Sequence, residues 1–568
     1  MRRGRALLAA LGCGLGLLLA GCRATGGPFV LQGAFTDPAP APLLAGVGEV
    51  EFTPGPGYPL AGYGGGARRR CWPLYFGAGW PGRLALDLHQ RCAAAAPDLL
   101  ADMLEPARGV HDPLRARALV LQAGGAALAL VRLDAVVGSE ELYRRVLERV
   151  ADLGLRPEAV IVAANHTHSG VGAYMRERAA RLAGTDNFRP EVLERLAAAC
   201  AGAIRQAWAA RRPAAIGFAS AWDRGPDGRP LVAENRRSRY LPAVAQDALD
   251  PEIGLVVVRE LAPASGSSAG APRHPGRLLA VLVNYAVHPT VLGPDNLYYS
   301  ADLAGAIERQ LEARLALAEG QAQPPAVLFF NGAEGDIGPR GGHGGLRDCE
   351  RLGRLLAEQV VPAVRAAPVA ARAALAAAAG ERALGDPYLV LALGSRRAFI
   401  EAHEQLGWRL LTAPLTLPFN LVLWALGFPE ARLAVHPDLS AGVWIDLAPY
   451  ALTETYRFHA LAIRTEGAGS AALLTVPGEA VHALGVRLKL LARLAGATHV
   501  FVLGLANGAL GYVATEEVYE QGGYEAMMTL YGWDLAARVT DSLRACLAAI
   551  GFGVPAARQS RRGGPGGD

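Results

Sequence analysis

Histidines and lone carboxylates just past short apolar runs are the residues with chemistry to offer. Ala159–Ala164 runs into Asn165-His166-Thr167-His168-Ser169-Gly170, and Leu278–Ala286 leads to His288-Pro289-Thr290. Ala326–Phe330 gives way to Asn331-Gly332-Ala333-Glu334-Gly335-Asp336-Ile337-Gly338-Pro339. Ala471–Val476 ends at Pro477-Gly478-Glu479, and Val500–Leu505 precedes Asn507-Gly508 and Tyr512. Two histidines one residue apart on a loop can chelate one metal, or divide metal binding from substrate binding. Imidazole suits Zn²⁺, and a site of three or four protein ligands leaves a place for water. Such a site lowers the water pKa to ~7 and polarises an amide carbonyl. Spacing alone does not decide: no HExxH motif is present and 12 His are scattered over the chain, so structural histidines stand as the other reading.

The five runs read as strands, and helical runs alternate with them. Ala126–Leu133 is a further strand, after which Ser139 caps a helix to Val150 with Leu142, Val146, Leu147 and Val150 on one stripe. Helices are expected over Pro190–Ala210, Ala301–Leu317, Leu346–Ala366, Ala480–Leu494 and Trp533–Ile550. The alternation predicts an α/β fold, a large, mostly buried mixed sheet flanked by helices. Ligands gather beyond the carboxyl ends of strands in such sheets, so the five loops are expected to face one crevice. Ala262–Gly276 reads as a surface loop, Pro368–Gly385 as an Ala-rich connection and Gln559–Asp568 as a frayed tail. Arg409–Phe428 is the most apolar internal stretch; Pro414, Pro418 and Asn420 argue against a spanning helix, leaving a buried helix pair or a greasy lip to a lipid site.

The chain opens Met1-Arg2-Arg3-Gly4-Arg5 and continues apolar from Ala6 to Ala20, too short and too early for a spanning helix. Leu19-Ala20-Gly21-Cys22 looks like a bacterial lipobox, which makes Cys22 the lipidation site and 1–22 the signal peptide. The expected location is the bacterial cell envelope, anchored to the membrane through Cys22. Arg23, where a retention signal would put Asp, favours the outer membrane. A linker over 23–44, a catalytic body over 45–552 and a disordered tail over 553–568 complete the expected division. A hydrophobic share of 51% and a charged share of 19% fit a folded globular body. The net charge of +4 includes Arg2, Arg3 and Arg5, which leave with the signal, so nucleic-acid binding is not expected. Cys71, Cys92, Cys200, Cys349 and Cys546 remain beyond the anchor; Cys71–Cys92 is the pair expected if a disulfide forms. The sequence sets no oligomeric state.

The segment Asn165 to Gly170 resembles the T-H-T-H-S-G-P-G segment of the neutral/alkaline ceramidases. Other matching pieces follow in the same order. Gly109-Val110-His111-Asp112-Pro113-Leu114-Arg115-Ala116-Arg117-Ala118 resembles G-I-H-x-R-Q-x-A-R-A, and Asn235-Arg236 resembles N-R-S. Asn284-Tyr285-Ala286-Val287-His288-Pro289-Thr290 is similar to N-W-F-x-V-H-x-T. Gly335-Asp336-Ile337-Gly338-Pro339 resembles G-D-V-S-P, and Pro477-Gly478-Glu479 resembles P-x-E. Gly511-Tyr512-Val513 through Tyr519, Tyr524 and Leu530-Tyr531-Gly532 follows A-S-Y-V-T…Y…Y…L-Y-G. The resemblance runs from about Gly46 to Ile550, and the β-sandwich that follows the catalytic domain in that family is expected to be absent.

The resemblance implies a zinc amidase that splits ceramide or a related N-acyl lipid, with one Zn²⁺ per chain. Its ligands would be His166, His288, Glu479 and Tyr512. His168, Arg236 and Tyr512 would serve the reaction, Tyr519 and Tyr524 would line the substrate side, and His111 would be structural or supporting. The family's G-D-V-S-P serine is Gly338 here. Loss of an auxiliary donor would cost ~10²–10³ in rate, by analogy with oxyanion donors. Three functions are therefore carried forward: a zinc hydrolase of N-acyl lipids, a zinc amidase for another acyl substrate, and a non-catalytic envelope lipid binder.

Overall fold

Apolar runs rich in β-branched and aromatic residues form one 14-stranded mixed sheet that positions everything else. In the computed structural model the described residues are 26–64, 68, 102–177, 180, 184–263, 273–393, 395–404, 418–419, 431–435, 441–447 and 455–553. The larger strands are β1 (Phe29–Thr36), β2 (Ala41–Glu51), β3 (Arg115–Ala123), β4 (Ala126–Leu133), β5 (Val160–Ala164) and β6 (Arg212–Trp222). They continue with β7 (Glu252–Pro263), β8 (Arg273–Tyr285), β9 (Ala326–Asn331), β10 (Arg372–Ala383), β11 (Thr455–Thr465), β12 (Ser470–Thr475) and β13 (His499–Leu503). The main path runs β9-β8-β7-β6-β2-β10-β11-β12-β13, and β3, β4 and β5 branch from β2. Three pairs are parallel, β4 with β5, β8 with β9 and β12 with β13. Their carboxyl ends release the polar loops.

The long helices are α1 (Glu140–Val150), α2 (Pro190–Ala209), α3 (Asp302–Glu319), α4 (Leu346–Ala366), α5 (His482–Leu494) and α6 (Leu535–Ala549). Ser139 caps α1 by accepting from the Leu142 amide at 3.0 Å, with Glu140 and Glu141 in the positive first turn. Strands buried on both faces feed two apolar layers at once. Along β3, Ala116, Ala118 and Val120 pack with α1 and α2, while Leu119 and Leu121 turn to the opposite face and meet β6–β13 residues such as Phe218, Leu282, Phe330 and Phe501. α3 and α4 cover the outer face of β7–β9, and α5 and α6 cover that of β10–β13.

The expected α/β class and the expected strands and long helices are present, with ends shifted by a few residues. Three expectations are corrected. The stretch assigned to a linker, 23–44, holds β1, which pairs antiparallel with β10, and the start of β2, which lies mid-sheet. The Ala-rich connection over Pro368–Gly385 contains β10, a central strand. Ala has low strand propensity, yet Ala376 and Ala378 face one layer and Ala373, Leu375 and Ala377 the other, where two close layers admit only small side chains. The expected surface loop over Ala262–Gly276 is shorter than read, since β7 reaches Pro263 and β8 starts at Arg273. Cys71 and Cys92, all of Arg409–Phe428 but 418–419, and the tail over Gln559–Asp568 lie outside the described residues. Among the described residues Cys200, Cys349 and Cys546 are buried thiols, and no helix is long and apolar enough to cross a membrane.

Because β10 is a two-sided core strand, Ala377→Leu should overpack it and lower stability by ~1–3 kcal/mol in denaturant unfolding. An unchanged midpoint would mean that the segment tolerates bulk as a surface connection does.

Candidate metal-binding active site

β5 ends at Ala164, and the chain turns out of the sheet through a strained residue. His166 holds φ +71° in the left-handed region, a conformation that costs ~1–3 kcal/mol outside glycine and persists only where its surroundings over-determine it. Asn165 supplies that restraint. Its Nδ2 donates to Asp134 Oδ1 at 2.6 Å, its Oδ1 accepts from the Thr167 amide at 3.1 Å, and Asp134 is paired with buried Arg132 at 2.7 Å. The His166 amide donates to Ala135 O at 3.0 Å. The ring is thereby fixed from both sides.

Two imidazoles and one carboxylate then meet in the interior. His166 Nδ1 donates to Val136 O at 2.5 Å, and His288 Nδ1 faces Glu334 O at 2.8 Å and Ile337 O at 3.0 Å. A ring whose Nδ1 proton is committed to a main-chain carbonyl presents Nε2 as a lone pair. Both Nε2 edges point at Glu479, whose Oε2 lies 3.3 Å from His166 and 3.2 Å from His288. That oxygen is buried without a hydrogen-bond partner. Three electron-rich atoms in contact, with no proton among them to share, fit a divalent cation of the imidazole-and-carboxylate class. Glu479 and Ala480 pair in parallel with Tyr512 and Val513, which sets the carboxylate beside the Tyr512 phenol. Gly335 lets the β9 loop close on this ribbon: a Cβ there would lie 2.8 Å from Glu479 O.

Arg236 supplies the positive charge facing these groups. It starts a short turn capped by Asn235, whose Oδ1 accepts from the Arg237 amide at 3.0 Å. Its Nη1 donates to His288 Nε2 at 3.1 Å and its Nη2 to the Tyr512 hydroxyl at 2.7 Å and to Gly335 O at 2.8 Å. Its Nε donates to Glu525 at 3.0 Å. Although burial works against the guanidinium charge, Tyr512, Glu525 and Glu479 hold its pKa above the ordinary value. Burial, reinforced by Glu479, keeps the Tyr512 phenol protonated well above its usual range. Burial, with Arg236 and His166 beside it, pushes His288 down to about 3.

His168 closes the other side. Its Nε2 lies 3.3 Å from His166 Nε2 and its buried Nδ1 has no hydrogen-bond partner. Burial and the neighbouring His166 and His288 keep it neutral. His166, His168 and His288 offer ligand atoms that all lie within 4.8 Å of one another. Tyr63 packs edge-on against His168, and a Cβ on Gly62 would run into that ring. Tyr524 is half exposed and meets Tyr512 edge-to-face at 5.4 Å, with Arg236 5.8 Å above its ring. Tyr519 is only 2% exposed and packs in the apolar layer of α5 and α6. His111 is exposed and stacks on Tyr298. Cys22 lies outside the described residues.

Three groups at the site were not singled out from sequence. Glu334 is fully buried and both of its carboxylate oxygens lack a hydrogen-bond partner; burial and the nearby Glu479 raise its pKa well above the ordinary value. Glu525, fully buried, anchors Arg236 and accepts from the Tyr240 hydroxyl. Asp336 holds His482 Nδ1 at 2.7 Å. The available signal was position: Glu334 and Asp336 lie inside a motif already marked, and Glu525 directly follows Tyr524.

With this geometry in place, residues 100–223 match the family described as neutral/alkaline non-lysosomal ceramidase, N-terminal. The match includes His166 and His168. The neutral ceramidase from Pseudomonas aeruginosa is similar in structure, with a TM-score of 0.60 at 18% identity over 90% of this chain and 74% of that one. A ceramidase complexed with C2 gives a TM-score of 0.60 at 18% identity, over 90% of this chain and 75% of that chain. The chain has the neutral ceramidase fold.

His288 contributes to the pH behaviour of the metal-free protein alongside buried His168 and His459, which burial also holds below their ordinary range. Unfolded, it protonates near the ordinary ~6.5; folded, it stays neutral down to about 3. The unfolded chain binds more protons between these values, so stability falls as pH drops from about 6.5 toward 3, by up to ~1.4 kcal/mol per pH unit. Denaturant unfolding at pH 7 and pH 5 should show a smaller loss for His288→Asn than for wild type. Equal losses would mean that His288 is not the buried neutral group.

Proposed function

We propose that the protein is a zinc-dependent hydrolase of ceramide or a related N-acyl lipid. One observation carries the reading: His166, His288 and Glu479, from loops after three different strands, converge with a buried, unpartnered oxygen at their centre, on a neutral ceramidase fold. His166, His288, Glu479 and Tyr512 would hold the ion. When bound, Zn²⁺ supplies a Lewis acid for the amide carbonyl and lowers the pKa of water.

The chain's own groups do the remaining work. Arg236 is held with its charge toward the Tyr512 hydroxyl, so the two together present donors to an oxyanion developing between them. Neutral His168 has an uncommitted Nδ1 beside the ligand set and would serve as the proton carrier in amide cleavage. Half-exposed Tyr524, with Tyr512 and Arg236 behind it, offers an aromatic wall to an amphiphile. The same reading puts the protein in the bacterial envelope, lipidated at Cys22.

Gly338 favours keeping the second reading, a zinc amidase for another acyl substrate. It lies in a short ribbon, Ile337–Pro339, antiparallel to Ala233–Asn235. Among the described residues a Cβ there would meet only Arg236 Cβ, at an ordinary 3.6 Å. Packing therefore does not forbid the serine that the ceramidase motif carries at this place.

Purified protein should contain about one zinc per chain and hydrolyse a fluorogenic ceramide in a chelator-sensitive way. His166→Ala should lose more than ~10²-fold in activity, since even outer partners of a metal ligand cost about 10–100-fold. Zinc without ceramide turnover, but with turnover of short-chain amides, would select the second reading. Full activity with no metal would refute the proposal. Gly338→Ser should fold with stability changed by less than ~0.5 kcal/mol, and turnover should rise by up to ~10²–10³ if the hydroxyl acts as an auxiliary donor.

A further inference from the structure

We infer that Glu334 is a second carboxylate donor to the cation held by His166, His288 and Glu479. The inference rests on the metal-site reading above and adds a residue that the ceramidase motifs do not supply. Glu334 follows β9 and is 0% exposed. Neither of its oxygens has a hydrogen-bond partner. His166, Glu334 and Glu479 offer ligand atoms that all lie within 4.8 Å of one another. The placement is rigid, because the Glu334 main-chain carbonyl is the group that accepts from His288 Nδ1 at 2.8 Å. One residue thus orients a ligand with its backbone and aims its side chain at the same point.

The neighbouring chain is shaped around this carboxyl. Gly504, just past β13, lies so close that a Cβ would stand 2.8 Å from Glu334 Oε2 and 2.4 Å from Gly332 O. Asn331 ties the base of the loop to two site segments, donating to Asn165 O at 3.2 Å and to Val287 O at 2.9 Å. Two buried carboxyl groups whose oxygens lack partners are poorly solvated, and ionising both would set like charges against each other. A divalent cation removes both problems, since two carboxylates neutralise its charge and two imidazoles complete a mixed oxygen and nitrogen set. More oxygen in the set also widens tolerance toward Mn²⁺ relative to a histidine-rich site.

The test uses the full chain purified in detergent and stripped with a chelator, titrated calorimetrically with Zn²⁺ and with Mn²⁺. Glu334→Gln keeps the side-chain shape and removes the charge. It is expected to weaken Zn²⁺ binding at least ~10-fold and Mn²⁺ binding by more, while its metal-free melting temperature stays close to that of wild type. Wild-type affinity for both ions in Glu334→Gln would overturn this inference and leave the metal-site reading standing; no metal binding by the wild type would overturn both. If Glu334→Gln does not fold, the wild type with ¹³C-labelled glutamate carboxylates decides. Zn²⁺ addition should shift the infrared bands of two glutamates, and a shift of one alone would overturn the inference.

Discussion

Lone pairs packed against lone pairs are what the interior of this protein must accommodate. The Nε2 edges of His166 and His288 and Oε2 of Glu479 touch without a proton between the rings and the carboxylate. A buried polar atom with no partner costs ~1–3 kcal/mol, more when it carries charge. The arrangement persists because each ring is held through its other nitrogen by a main-chain carbonyl, and because Arg236 lays a positive charge across His288 and Tyr512. Remove those constraints and the three groups would turn away from one another.

The sheet provides the constraints. Parallel neighbours β4 and β5, β8 and β9, and β12 and β13 end at the same side and release the loops bearing His166, His288, Glu334 and Glu479. Both faces of these strands are buried under other layers, so the strand ends have little freedom. Ionic bolts continue the rigidity outward. Arg132 bridges Asp134 and Glu308, and Asp134 reaches Asn165 directly before the strained His166. Strain at His166 is thus balanced by buried contacts in three elements.

Much of this was legible in the residues. Short apolar runs ending in polar clusters marked the strands whose carboxyl ends carry the site, and His166 and His288 stood out by type and place. Other parts were hidden for physical reasons. Arg115 and Arg117 interrupt the apolar run of β3, yet Arg117 is buried among Glu308, Glu312 and Glu49. β10 looked like a connection because its alanines have little strand propensity, and only the closeness of two layers makes them suitable. Glu334 between small residues reads as a solvated loop acid; its burial comes from segments near 166, 480 and 504 that the chain brings together only on folding. Tyr519 and Tyr524 look alike in sequence, and packing separates them into a core ring and a site-facing ring.

The most direct test of the central claim is a zinc-edge anomalous diffraction map from crystals grown with Zn²⁺. The account predicts one strong peak at coordination distance, about 2.0–2.2 Å, from the Nε2 atoms of His166 and His288 and from a Glu479 oxygen. A map with no peak among these three residues, or with zinc bound only elsewhere, would contradict it.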